Sequence, residues 1–300
     1  MKRLYNCRKI VVIIALLLAG ITVANKSAAQ QDPFGASYFL NQYLANPAMV
    51  GGDNKIKAGV GYRRQWAGIS NSPYSLYATG EYSSGDKINL GISLYNDRAG
   101  MLNTSMAMAT YAYYLPVTST GGRVHLGISA GAVNRRIDTK NFNGDPGDVL
   151  LTDGNDFQFD GGIGVAYTDK RITVQASFPN MVTYFKKENE DLVNRPTFFA
   201  AASYKFAFND GDFTVEPKAA FRGMQGFDNI IDAGANITLK QVNVFGIYHT
   251  SKNITAGAGL KIADKLVINA IYTSAGAAIR EYIDGNFEIG LSFSLGGKEK

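Results

Sequence analysis

From Lys55 to the C-terminus the chain repeats one unit: an apolar/polar alternation, a turn, then another alternation. The last unit is the plainest, with Phe287, Ile289, Leu291, Phe293 and Leu295 on one face and Glu288, Gly290, Ser292 and Ser294 on the other. Period two makes this a strand with one oily side. Because no helical pattern intervenes to cover such faces, they must meet each other or lipid.

The N-terminus decides between those two. Lys2, Arg3, Arg8 and Lys9 precede the apolar run Ile10 to Gly20, and Ser27-Ala28-Ala29 offers small residues for cleavage, so residues 1–29 read as an export signal. No later run approaches the roughly 18 to 20 apolar residues of a helical span, which leaves strands as the only route across a membrane. The signal holds five of the 30 basic residues and none of the 25 acidic ones, so the mature chain is formally neutral. The basic balance of the whole chain is therefore no argument for nucleic acid. Cys7 leaves with the signal as well, so the mature chain is expected to have no disulfide or thiol chemistry.

About fourteen strands follow from the alternation, near 55–63, 73–83, 86–96, 101–115, 122–136, 156–168, 170–178, 198–208, 212–222, 229–239, 241–249, 252–262, 265–274 and 285–295. The fold expected is all-β, a transmembrane outer-membrane barrel of about 14 antiparallel strands over residues 55–300. Connections largely alternate in length, as they do in such barrels. Short ones include Ser83-Ser84-Gly85, Thr168-Asp169 and Lys240-Gln241, and Asn209-Asp210-Gly211 has the hairpin chemistry for positive φ. Longer ones are read at Arg64 to Ser72, Asp97 to Gly100, Ile137 to Asn155, Asn180 to Thr197, Gly223 to Asn229 and Ser274 to Asp284. An even strand count with short turns inward places both termini in the periplasm. Tyr82, Tyr95, Tyr113, Tyr114, Tyr167, Phe208, Tyr248 and Tyr272 fall near strand ends, where amphipathic rings favour the membrane interface.

Catalytic and metal candidates are few. His125, between Val124 and Leu126, is expected to face the lumen, and no serine or orienting carboxylate marks a hydrolytic triad with it or with His249. Asp138, Asp145, Asp148, Asp153 and Asp156 do not have the spacing of a calcium loop and read as a solvated outer loop, as do Lys186, Lys187, Glu188, Glu190 and Asp191. The glycines at Gly161-Gly162 and Gly257/Gly259 precede no helix, so no phosphate cradle is expected. No cofactor is expected.

Residues 30–54 lack the period-two pattern yet carry Phe34, Tyr38, Phe39 and Tyr43, so this segment is expected to pack in or near the periplasmic mouth of the barrel. It begins Gln31-Asp32-Pro33, continues through Tyr38 and Tyr43 to Asn46-Pro47-Ala48 and Gly51, and the first strand then closes on Tyr62-Arg63-Arg64-Gln65-Trp66. In both motifs the chain resembles the PorP/SprF family of Bacteroidota outer-membrane proteins, departing from the pattern only at Gly35-Ala36-Ser37. That resemblance implies a non-catalytic component of type IX secretion or gliding motility, contacting periplasmic ring or peptidoglycan-associated lipoproteins and an exported surface adhesin. Under it, Asp32, Pro33, Tyr38, Tyr43, Asn46, Pro47, Gly51, Arg63, Arg64, Gln65 and Trp66 are expected to bind partners. A different class of function is a passive pore or FadL-like small-solute transporter, with Asn89, Ser93, Gln158, Asn269 and Thr273 lining a watery lumen.

Overall fold

The computed structural model describes residues 35–69, 71–137, 154–181, 196–224, 228–275 and 284–297. The export signal at 1–29, Asp32 and Pro33, the acidic run up to Asp153 and the mixed-charge loop at 186–191 lie outside the described residues. Strands β1 (Asn54–Arg64), β2 (Tyr74–Ser84), β3 (Ile88–Ala99), β4 (Leu102–Pro116), β5 (Arg123–Ile137), β6 (Asn155–Thr168) and β7 (Ile172–Phe178) form the first half. The second half is β8 (Pro196–Tyr204), β9 (Phe206–Phe208), β10 (Phe213–Met224), β11 (Ile230–Leu239), β12 (Val242–His249), β13 (Ile254–Ile262), β14 (Leu266–Thr273) and β15 (Asn286–Gly297). β8 and β9 both pair with β10 and form one stave interrupted at Lys205. Each stave is antiparallel to its neighbours in sequence, and β1 pairs with β15 from Asn54↔Gly297 to Arg64↔Phe287. Fourteen staves thus close on themselves, which leaves no free sheet edge.

Alternation places the side chains as the pattern requires. Outward go Ile92, Phe159, Ile254 and Ile289, each more than half exposed, while their inward neighbours Asn89, Asp160, Thr255 and Glu288 are buried. An apolar belt bare to solvent on this scale is stable only in hydrocarbon. Among the described residues no helix is long and apolar enough to cross a membrane.

Short turns gather at one end, which also carries Asn54 and Gly297. One of them shows how they are set. The Asp169 carboxylate accepts from the N–H of Arg171 at 2.7 Å and of Ile172 at 2.6 Å, and the backbone donors of Ile172 and then Arg171 hold it below the usual carboxylate range.

Three expectations need correction. The link read at Asp97 to Gly100 is a turn of Gly100 and Met101, because β3 continues through Asp97↔Thr104 to Ala99↔Leu102. Polar outward residues there break the oily pattern without ending the ladder. Tyr95 and Tyr114 are not lipid-facing interface rings: Tyr95 donates to Asp97 at 3.3 Å, and Tyr114 is 3% exposed inside the barrel. Parity demands it, since only one of Tyr113 and Tyr114 can face outward. Asn89 does not line open water either, being 2% exposed and bonded to the Ser83 hydroxyl at 2.6 Å.

Candidate functional site

Residues 36–50 run through the lumen as three short 3-10 turns, Ser37–Phe39, Gln42–Leu44 and Pro47–Met49. Their contacts circle the inner wall. The path starts level with Glu288, near the long-loop end of β15, and leaves at Asp53 beside the short turns. Gly35 and Gly297 lie toward opposite ends of the barrel.

At the long-loop end Glu288 organises the contacts. Its carboxylate accepts from the Ala36 N–H at 2.8 Å and from the Ser37 hydroxyl at 2.7 Å, with Arg63 Nε 3.8 Å away. One buried acid thus joins the N-terminal segment to the motif Tyr62 to Trp66. That motif divides by parity: Arg63 and Gln65 are buried inward, Tyr62 and Arg64 face outward, and the Trp66 N–H, at φ 50°, donates to Asn286 at 3.1 Å.

Next along the path, Tyr38 donates its hydroxyl to Asp232, whose two oxygens also receive Arg222 at 2.7 and 2.8 Å. Arg222 and Asp232 are each 1% exposed. His249 Nδ1 stands 2.6 Å from Asp232, and its Nε2 stands 2.8 Å from the Thr255 hydroxyl. Asp, His and Thr are connected in the order of a hydrolytic triad, but Thr255 is 0% exposed and Asp232 is committed to Arg222 and Tyr38. No substrate carbonyl reaches such a hydroxyl, and the network holds the segment.

Midway, Phe39 stacks on Phe245 at 5.6 Å, while Lys218 donates to the Phe39 carbonyl at 2.7 Å and lies 4.5 Å from the centre of its ring. Tyr38 meets Phe199 edge-on at 5.7 Å. On the opposite wall Tyr43 donates to Thr110 at 2.9 Å. These aromatic contacts give the segment its hydrophobic burial.

Asn46-Pro47-Ala48 forms the most closely fitted part. The Asn46 carbonyl oxygen caps the third 3-10 turn by accepting from the Ala48 N–H at 2.9 Å, and Pro47 supplies the fixed φ that the first helical position favours. The Asn46 side-chain amide donates to Gln175 at 3.1 Å, and Gln175 in turn donates to Gln42 at 2.8 Å. Ser177 donates to the Ala45 carbonyl at 2.6 Å, and His125, stacked on Tyr114 at 3.6 Å, sets Nδ1 3.3 Å from the Ala48 carbonyl. The wall gives way here. A Cβ on Gly127 would lie 2.3 Å from the Ala48 nitrogen, and one on Gly164 would lie 1.9 Å from Asn46 Oδ1. Two glycines form the notch in which the motif sits.

At the short-turn rim Tyr114 donates to the Val50 carbonyl at 2.7 Å, the Gly51 N–H to Glu81 at 2.7 Å, and Arg123 pairs with Asp53 at 3.2 Å. Of the residues singled out in the sequence, the structure brings Tyr38, Tyr43, Asn46, Pro47, Gly51, Arg63 and Gln65 into one interior contact set and leaves Arg64 and Trp66 at the opposite rim. Sequence reasoning missed their receivers, Glu81, Gln175, Lys218, Arg222, Asp232 and Glu288. The available signal was a charged or amide side chain at an inward position between outward neighbours, as in Phe287-Glu288-Ile289.

Comparison with known proteins gives the same architecture. The toluene transporter TbuX of Ralstonia pickettii superposes with a TM-score of 0.53 at 14% identity, covering 90% of this chain and 96% of that one. TodX, a monoaromatic hydrocarbon channel in a deletion-mutant form, gives 0.51 at 9% identity over 84% and 93%. Omp33, an outer membrane protein of Acinetobacter baumannii, gives 0.50 at 8% over 81% and 98%. At these identities the likeness is one of fold, an outer-membrane barrel. No curated protein matches the chain. The model of the type IX secretion system membrane proteins PorP/SprF matches residues 27–293, a span that takes in both the lumen segment and the barrel that receives it, so the chain belongs to the PorP/SprF family.

Proposed function

We propose that the protein is a non-catalytic, internally plugged adapter of the type IX secretion machinery. The barrel anchors it in the outer membrane, the short-turn rim with Gly51 to Asp53 faces periplasmic ring or peptidoglycan-associated lipoproteins, and the long-loop rim faces an exported adhesin used in secretion or gliding. The observation that carries this reading is the ring of buried bonds from Glu288, Asp232, Lys218, Gln175, Tyr114 and Glu81 onto residues 36–51. A lumen filled in this way passes solute only when the segment is displaced. In this state Tyr38, Tyr43, Asn46 and Pro47 bind the barrel's own wall, so partner contact through them requires the segment to leave the lumen.

Affinity purification from detergent-solubilised outer membranes tests the assignment. The wild-type chain is expected to retain ring lipoproteins, and charge reversal at the rim (Arg123→Glu with Lys170→Glu) to lose them. Retention of no secretion component by the wild type contradicts the adapter role. Two fold neighbours are described as a hydrocarbon channel and a transporter, which favours a second reading as a small-solute transporter. Under that reading solute uptake into vesicles must depend on displacement of residues 36–50.

A further inference from the structure

The outer face of β1 to β6 near the long-loop rim is unlike the rest of the lipid belt. Strand register aligns three rows across it. The outermost reads Phe287, Arg64, Tyr74, Arg98, Asn103, Arg136 and Asn155, each paired with the next. Arg64, Arg98 and Arg136 are all exposed. They stand on alternate strands, about 10 Å apart at the usual spacing of a sheet. The next row reads Ile289, Tyr62, Leu76, Asn96, Ser105, Asn134 and Phe157, and the third Leu291, Val60, Ala78, Leu94, Ala107, Ala132 and Phe159. No Asp or Glu stands in any of the three.

Beneath the arginines the wall is concave. The small side chains of Ala78, Ala107 and Ala132, rimmed by Leu76, Leu94 and Phe157, leave a cavity of about 720 Å³. Beside it lies a second cavity of about 250 Å³ lined by Asn134, Arg136, Ile137, Gly154 and Asn155. Asn134 belongs to both, and its side-chain oxygen is buried with no hydrogen-bond partner.

We propose that this face is a binding site for a phosphorylated, multi-acyl glycolipid of the outer leaflet. The acyl chains fill the apolar cavity, and the phosphates lie against the arginine row. Guanidinium forks suit phosphate, both by charge and by their paired donors. Three cations spread over about 20 Å exceed the reach of one phosphate, so a headgroup carrying two fits the row better than a glycerophospholipid does.

Native mass spectrometry of the full chain in detergent, with added bisphosphorylated lipid A and, separately, phosphatidylglycerol, tests this directly. The wild type is expected to hold one lipid A at least tenfold more tightly than phosphatidylglycerol. The triple variant Arg64→Gln, Arg98→Gln, Arg136→Gln loses that preference, whereas Lys87→Gln, Lys170→Gln, Lys265→Gln at the opposite rim keeps it. Ala107→Leu with Ala132→Leu, which fills the cavity without touching the charges, weakens retention as well. Equal binding of the two lipids by the wild type, or undiminished preference in the arginine variant, overturns the proposal.

Discussion

The two faces of the barrel wall obey one period and follow different rules. Away from the long-loop rim, outward positions need only be apolar, because lipid accepts any oily side chain: Ile92, Leu94, Leu126 and Ile128 are all about half-exposed. A set of inward positions is committed to particular atoms of residues 36–51. Glu288 receives Ala36 and Ser37, Asp232 receives Tyr38, Gln175 receives Asn46, and Glu81 receives Gly51. The solvent-like face is therefore tolerant, whereas the lumen face is specific in the manner of a protein core.

The largest effect is expected where the inner face buries charge. Asp232→Ala leaves Arg222 without its carboxylate in a site of 1% exposure, a loss of about 3–5 kcal/mol. The denaturant midpoint of the detergent-solubilised barrel should fall accordingly, and an unchanged midpoint would show that the network is not structural. Gly127→Val should come next, since its side chain enters the space of the Ala48 backbone, at about 1–3 kcal/mol. Amide exchange at residues 46–50 should speed up while the strands stay protected. If both regions stayed protected, the notch would not be what seats the motif.

Asn46→Ala removes the cap of the third 3-10 turn and should cost about 1 kcal/mol, with Asn46→Asp recovering the cap but not the amide donation to Gln175. A thermal melt that ranks Asp between Asn and Ala supports both roles. The smallest effect belongs to the outer face, where Leu90→Val, at a position 44% exposed, should stay within about 0.5 kcal/mol. A cost near that of the inward substitutions would erase the contrast between the faces.

That contrast also explains what could be read from the chain. Strand positions followed from the outward rows, since lipid imposes the same demand on every strand. All fourteen staves lie within a few residues of the ranges expected from the alternation. The alternation misled most at Asp97 to Ala99, where pairing continues without an oily face to mark it. The N-terminal segment stood out by its aromatics and lack of period. Its receivers did not, because an inward Glu or Gln looks the same whether it meets water, as a pore would require, or a backbone amide, as Glu288 does. Likewise the residues flanking His249 gave no sign of its contacts with Asp232 and Thr255, which come from other strands.

The account stands or falls on whether residues 36–50 close the lumen, and single-channel recording in planar bilayers measures that directly. The wild-type barrel should be silent, and a chain lacking residues 36–50 should conduct steadily, with its Lys218, Asp232 and Glu288 side chains solvated in an open pore. Steady open currents from the wild type, equal to those of the shortened chain, would contradict it.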